Sequence, residues 1–144
     1  MKPIGVLSVL CLCCLQLIGP LEGAAQVHPL ELRLGSSLLG STVKNLQGKD
    51  LGTLKDLVVS PGDNRVVYAV LSFGGVLGLG EKLFAIPLSA LKPAAEAKGF
   101  VLEITPEQLH NAPEFNQNNW PQMTDLQWIA GVYTFYGLQP YWQQ

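Results

Sequence analysis

Beyond residue 14 the sequence has no cysteine: the only three, Cys11, Cys13 and Cys14, sit in an apolar leader. A chain that loses this leader has no thiol for a disulfide, a metal site or a nucleophile, so its fold must stand on an apolar core. Histidine is nearly as scarce, with only His28 and His110, and neither has neighbours at metal-ligand spacing. The carboxylates near His110 are Glu107, on a capped turn, and Glu114, beyond Pro113, and a solvated surface is expected there. An excess of either charge is also missing. The formal charge is −2, and Lys44, Lys49 and Lys55 are offset by Asp50 and Asp56, which leaves no electrostatic footprint for nucleic acid. After the leader there is no internal repeat and no transmembrane stretch.

The leader itself has a definite order. Lys2 precedes an apolar run over residues 4–18, and Gly23-Ala24-Ala25 follows. These are the three regions of a secretory signal peptide, with small residues at Gly23 and Ala25 directing cleavage ahead of Gln26. The alternative is an uncleaved membrane anchor, since the run approaches the roughly 18–20 residues that span a bilayer. Gln16 and Pro20 weaken that alternative, and with Lys2 held inside, both readings deliver the rest of the chain outside the cytoplasm. Lipidation is not expected, because the cysteines follow Leu10, Leu12 and Cys13 instead of a small residue.

Over the whole chain 48% of residues are apolar and 14% charged, a balance that supports one folded domain. Short apolar runs separated by turn residues predict an all-β fold, with strands near residues 38–43, 51–59, 66–73, 83–86 and 100–104. Asn45-Leu46-Gln47-Gly48 and Pro61-Gly62-Asp63-Asn64 supply the hairpin turns. Residues 65–73 are apolar on both alternating faces, as in a central strand covered on both sides or curled inside a barrel. Leu54 and Leu57 fall on opposite faces of an ideal strand, so a bulge near Lys55 or Asp56 is needed to bring both inward. Thr105-Pro106-Glu107-Gln108 is a capping box with proline at the first helical position, predicting a single-turn helix to about Asn111.

The search for chemistry is negative. Gly75 and Gly80 have phosphate-loop spacing, but Glu81 intrudes before Lys82, no Ser or Thr follows, and Pro87 replaces an opening helix. A glycine turn that lets two strands change direction is the better reading, and no nucleotide binding is expected. None of Ser36, Ser37, Ser41, Ser60, Ser72 or Ser89 lies in a nucleophile-elbow sequence. Asp56, Asp63, Glu81 and Glu103 are expected to serve solubility and turns. No catalytic residue, metal ligand or cofactor-binding residue is predicted.

Beyond the amide-rich segment Asn116-Gln117-Asn118-Asn119, read as a linker, the capping signals return. Thr124 as N-cap, Gln127 three residues later and Gly137 at the end predict a helix over residues 125–136. Its stripe of Leu126, Ile129, Val132, Tyr133 and Tyr136 must face something. One reading makes the tail an appended interaction element whose candidate surface is Trp120, Trp128, Tyr133, Tyr136, Tyr141 and Trp142. The other packs the stripe back on the barrel as a satellite core.

Leu39-Gly40 through Gly48, then Leu51-Gly52-Thr53-Leu54-Lys55-Asp56-Leu57-Val58-Val59, resembles the opening hairpin of PRC-barrel domains. Residues 65–75, followed by Gly78-Leu79-Gly80-Glu81-Lys82-Leu83-Phe84-Ala85-Ile86-Pro87, look like that family's central strand, glycine turn and Ala-Ile-Pro strand in order. The resemblance implies a small curled antiparallel barrel with short helical turns, joined here to a C-terminal amphipathic helix. The family includes the extramembrane domain of the photosynthetic reaction-centre H subunit and a domain of a ribosome-maturation factor, both cytoplasmic and both acting by docking. It has no common catalytic residues. The expected layout is a signal peptide over residues 1–25, an extension over 26–36, the barrel over 37–115, a linker over 116–123 and the aromatic tail over 124–144. The leading functional expectation is a bacterial, non-catalytic docking module of the periplasm or cell surface, with a protein partner, membrane-associated partners included, and no cofactor, nucleotide or nucleic acid. Two alternatives stand beside it: an accessory of a membrane electron-transfer complex of the reaction-centre kind, and an enzyme whose site is too scattered to read.

Overall fold

Both faces of Arg65–Phe73 are apolar, and the computed structural model buries both, with Val67, Tyr68, Ala69, Val70 and Leu71 all in the core. The structure describes residues 32–74, 80–94 and 99–143. The signal peptide and its cleavage site, the cysteines, His28 and the glycine-turn residues 75–79 lie outside the described residues. The chain divides into two units, Met1–Leu32 and Arg33–Gln144, and the elements named below belong to the second.

Among the described residues seven strands form one curled sheet: β1 (Thr42–Lys44), β2 (Asp50–Ser60), β3 (Arg65–Phe73), β4 (Lys82–Ile86), β5 (Leu91–Pro93), β6 (Gly99–Leu102) and β7 (Glu114–Phe115). Their spatial order is β5-β6-β1-β2-β3-β4-β7. The predicted bulge is present. The β2–β3 register slips between Leu54 and Asp56, so Leu54 and Leu57 both reach the same core. A second slip pairs Val58 with Tyr68 and Val59 with Val66, leaving Val67 as the extra residue of β3.

Three expectations are corrected. The first predicted strand is shorter, because Ser37 donates both its backbone N–H and its hydroxyl to the Leu34 carbonyl and closes a helical turn, α1 (Gly35–Leu38). The barrel is not wholly antiparallel, since β1 runs parallel to β6, with Val43 opposite Phe100. The last predicted strand ends at Leu102 instead of residue 104, just before the capped helix α2 (Pro106–His110). There the capping box is complete: Thr105 Oγ1 accepts from the Gln108 N–H, and Gln108 Oε1 accepts from the Thr105 N–H.

The sheet separates two cores. On its concave side Val43, Leu51, Leu54, Ala69, Leu71, Phe84, Ile86, Phe100, Leu102 and Leu109 fill the barrel. On the other side Val67, Tyr68, Val70, Leu83 and Ala85 pack against Ile129, Val132 and Tyr133 of α3 (Leu126–Phe135). Alternation along β3 and β4 sends successive side chains into different cores, which is why neither strand has a polar face.

Candidate interaction surface

The tail helix starts one residue later than its cap signal suggested. Asp125, not Thr124, is the N-cap, and its Oδ1 accepts from the Trp128 N–H at 2.9 Å. Both residues are good caps, and it is the Asp125 carboxylate that accepts from the N–H three residues on. At the other end Gly137 has φ of 69°, the Leu138 N–H donates to the Tyr133 carbonyl and the Gly137 N–H to the Thr134 carbonyl. This Schellman motif turns the chain back over the sheet.

The stripe packs on the chain's own sheet. Ile129, Val132 and Tyr133 are buried, and the Tyr133 hydroxyl donates to the Val67 carbonyl at 2.6 Å, satisfying the acceptor at the β3 bulge. Burial also raises the Tyr133 pKa above its ordinary value. Tyr136 is half-buried between the two cores, its hydroxyl has no hydrogen-bond partner among the described residues, and burial holds its pKa far above the ordinary tyrosine range.

The other aromatics form two groups. Trp142 lies edge-on to Tyr133 and to Tyr141, with ring centroids 5.6 Å and 4.9 Å apart. The Tyr141 hydroxyl donates to Asp63 Oδ2 at 2.8 Å, and the Arg65 guanidinium stands 5.0 Å from the Tyr141 ring centre. The end of the chain is thereby tied to the β2–β3 turn. At the opposite end of α3, Trp120 packs on Phe115 at 4.9 Å, and Trp128 stands edge-on to Phe115 and Tyr68 at 6.2 Å and 5.9 Å. The Tyr68 hydroxyl donates to the Met123 sulfur at 3.7 Å. Of the six candidate surface residues, then, Tyr133 is buried inside the chain, and Trp120, Trp128, Tyr136, Tyr141 and Trp142 are half-buried.

The amide-rich segment is not a bare spacer. Asn116 bridges to Asn119, Asn116 Oδ1 accepts from the Asn118 N–H at 3.0 Å, and Gln117 Nε2 donates to Glu81 Oε2 at 2.7 Å. Composition hid this, because Asn side chains substitute for backbone partners in turns.

Sequence reasoning missed Glu81 as an organising residue. Its carboxylate accepts from Lys55 of β2, Ser72 of β3 and Gln117, and its side chain is only 14% exposed. The Lys55 hydrogen bond, followed by that of Ser72, holds its pKa below the ordinary 4.5. A lowered carboxylate pKa contributes stability that is complete above about 4.5 and is lost as pH falls through the folded-state value. Melting curves of wild type and Glu81→Gln should therefore differ by about 1–2 kcal/mol at pH 7 and converge as the solution is acidified below about pH 4.5. Parallel curves across that range would contradict the assignment.

The remaining groups singled out in the sequence do not converge. Lys82 pairs with Glu114 at 2.8 Å, Lys92 with Glu103, Asp56 accepts from the Leu57 N–H, and Asp63 from Ser60 and Tyr141. His110 is exposed and stands edge-on to Phe73. Among the described residues, no group of three or more His, Cys, Asp or Glu side chains could hold a metal.

A family model described as the PRC-barrel domain matches residues 31–109, more than half of the chain. No curated protein matches it significantly. The matched segment spans β1 to β6 and most of α2, while β7 and α3 lie beyond it. With its curled sheet, bulged second strand and ordered strand motifs, the chain belongs to the PRC-barrel domain family.

Proposed function

We propose that this chain is an exported, non-catalytic PRC-barrel protein that docks on a protein partner through the N-terminal end of α3. The observation that carries the reading is Leu126. It belongs to the same stripe as buried Ile129 and Tyr133, yet it is 59% exposed, and Met123 three residues earlier is 53% exposed. Single exposed apolar side chains are ordinary. These two, however, share a short stretch of chain with the half-buried Trp120 and Trp128, and aromatic side chains of that kind anchor interfaces.

Export is supported by the order of Lys2, the apolar run and Gly23-Ala24-Ala25. A non-catalytic role is supported by the separate commitments of Glu81, Lys82, Asp63 and Glu103 to structural partners. The test is capture from envelope extract by the mature protein and by Met123→Glu/Leu126→Glu. Both replaced side chains are exposed, so the variant should melt within a few degrees of wild type, and its recovery of the partner should fall by about tenfold or more. Equal recovery sinks the docking reading. An intact mass beginning at Gln26 is expected for the exported chain, and a mass that retains Cys11 would refute cleavage.

A further inference from the structure

Lys55 is the extra residue of the β2 bulge, opposite nothing on β3, and the bulge leaves its side chain free to reach Glu81. Glu81 itself follows Gly80, whose φ of 73° turns the chain into β4. Ser72 of β3 and Gln117 donate to the same carboxylate. Of these groups Gln117 alone belongs to the connection between β7 and α3. Among the described residues the other hydrogen bonds of its turn are internal, from the Asn119 N–H to the Asn116 carbonyl and from the Asn118 N–H to Asn116 Oδ1. We propose that Glu81 is an acid-released latch: as a carboxylate it fastens the connection between β7 and α3 to the barrel, and as a carboxylic acid it lets that connection loose while the barrel stays folded.

The charged carboxylate accepts from Lys55 and Gln117 on Oε2 and from Ser72 on Oε1. A hydrogen bond to an ionised acceptor is roughly twice as strong as one to a neutral acceptor. Protonation removes that advantage from all three bonds and turns one oxygen into a donor. The loss does not fall evenly. Lys55 is carried by β2, and Ser72 is fixed between Thr53 and Leu83 of the neighbouring strands, so both stay in place whatever the state of Glu81. Gln117 has no such support, and the turn that carries it is otherwise held by the Trp120 ring on Phe115. The charged group that faces Glu81 is Lys55 of β2. Ser72 and Gln117 do not titrate, and the adjacent Lys82 of β4 is paired with Glu114 of β7 at 2.8 Å. The Lys55 hydrogen bond is the main cause that holds Glu81 below 4.5, so the latch is closed at neutral pH and opens as acidity carries the solution below that value.

The connection carries Trp120 and Met123, so the latch would govern how the docking surface is presented, a consequence that rests on the docking reading above. Its test uses no partner, and its failure is therefore separate from a failure of docking. The full mature chain is titrated from neutral to acid pH while the Gln117 side-chain amide and the Trp120 indole are followed by NMR. Both should move with one shared midpoint below 4.5. In Glu81→Gln the Gln117 amide should not titrate, and any Trp120 movement that remains belongs to Glu114 and Asp125, which line the cleft beside it. At neutral pH the backbone order parameters of residues 117–119 should fall from about 0.85 in wild type to below about 0.6 in Glu81→Gln, with hydrogen-exchange protection of Val70 kept. Lys55→Met should raise the Gln117 midpoint towards the ordinary glutamate value, because it removes the main cause of the lowering. A Gln117 amide that does not titrate, one that titrates equally in Glu81→Gln, or order parameters that stay near 0.85 in that variant would each overturn the proposal. So would an unshifted midpoint in Lys55→Met, which decides the matter even if Glu81→Gln fails to fold.

Discussion

Gly52→Ala is expected to lower the melting temperature by about 8–24 °C. Gly52 lies in β2 at φ of 124°, and a Cβ placed there would stand 2.1 Å from the Ser72 carbonyl oxygen and 3.0 Å from its carbon. Both are backbone atoms of the neighbouring β3, which is fixed on its other side by β4. No side-chain rotation relieves the contact. The backbone conformation alone costs about 1–3 kcal/mol in a residue other than glycine, and forcing two paired strands apart costs about 1–3 kcal/mol more. At roughly 4 °C per kcal/mol for a domain of this size, the sum reaches the stated shift. Gly48→Ala is the matched control. Gly48 also has a positive φ, 78°, but nothing lies within 4 Å of its added Cβ, so only the backbone strain is incurred. Calorimetric melts of the two variants separate contact from strain, and equal losses would remove the contact from the explanation.

The features readable in the sequence were those whose physical cause is local. The bulge at Lys55 follows from the broken alternation of Leu54 and Leu57, and the structure places it there. The α2 cap follows from four consecutive residues, and the Asn45 turn from an Asx side chain that here accepts from the N–H groups of Gln47 and Lys49. The features missed are set by partners far away in sequence. Nothing near Val43 announces a parallel partner at Phe100. β5 and β7 are three and two residues long and have no periodicity to detect. Glu81 gathers Lys55, Ser72 and Gln117 from three separate segments, and in the sequence it read as a solubilising carboxylate that spoils a phosphate loop. Of the candidate surface, the identity of the aromatic residues was legible and their division was not. Tyr133 is consumed by the Val67 carbonyl, while Trp120 and Trp128 join Phe115 at a cleft.

Two apolar faces on one strand therefore imply two coverings, and only one of them comes from the curl of the sheet. Leu71 and Phe84 are enclosed by the barrel, but Val70 and Leu83, their neighbours in sequence, would face water if the chain ended after the family-matched segment. The helix beyond that segment supplies the second covering. In this chain the family domain and the tail are joined by a shared core.

Removal of residues 120–144 should accordingly prevent stable folding, and Val132→Asp should lower the melting temperature of the full chain by more than 10 °C. Val132 is fully buried between α3 and the outer face of β3 and β4. A carboxylate there has no partner, and an uncompensated buried charge costs about 3–5 kcal/mol. Truncation removes Ile129, Val132 and Tyr133 together, each worth about 2–5 kcal/mol when buried, and strands the Val67 carbonyl that Tyr133 satisfies. The sum rivals the whole stability of an ordinary domain, about 5–15 kcal/mol. Leu126→Ala on the same helix should cost less than about 0.5 kcal/mol, because that side chain is largely in water. Circular dichroism and thermal melts of the four chains decide the matter. A chain ending at Asn119 that melted within a few degrees of the full protein would show that the sheet's outer face needs no cover, and the tail would then be an appended element after all.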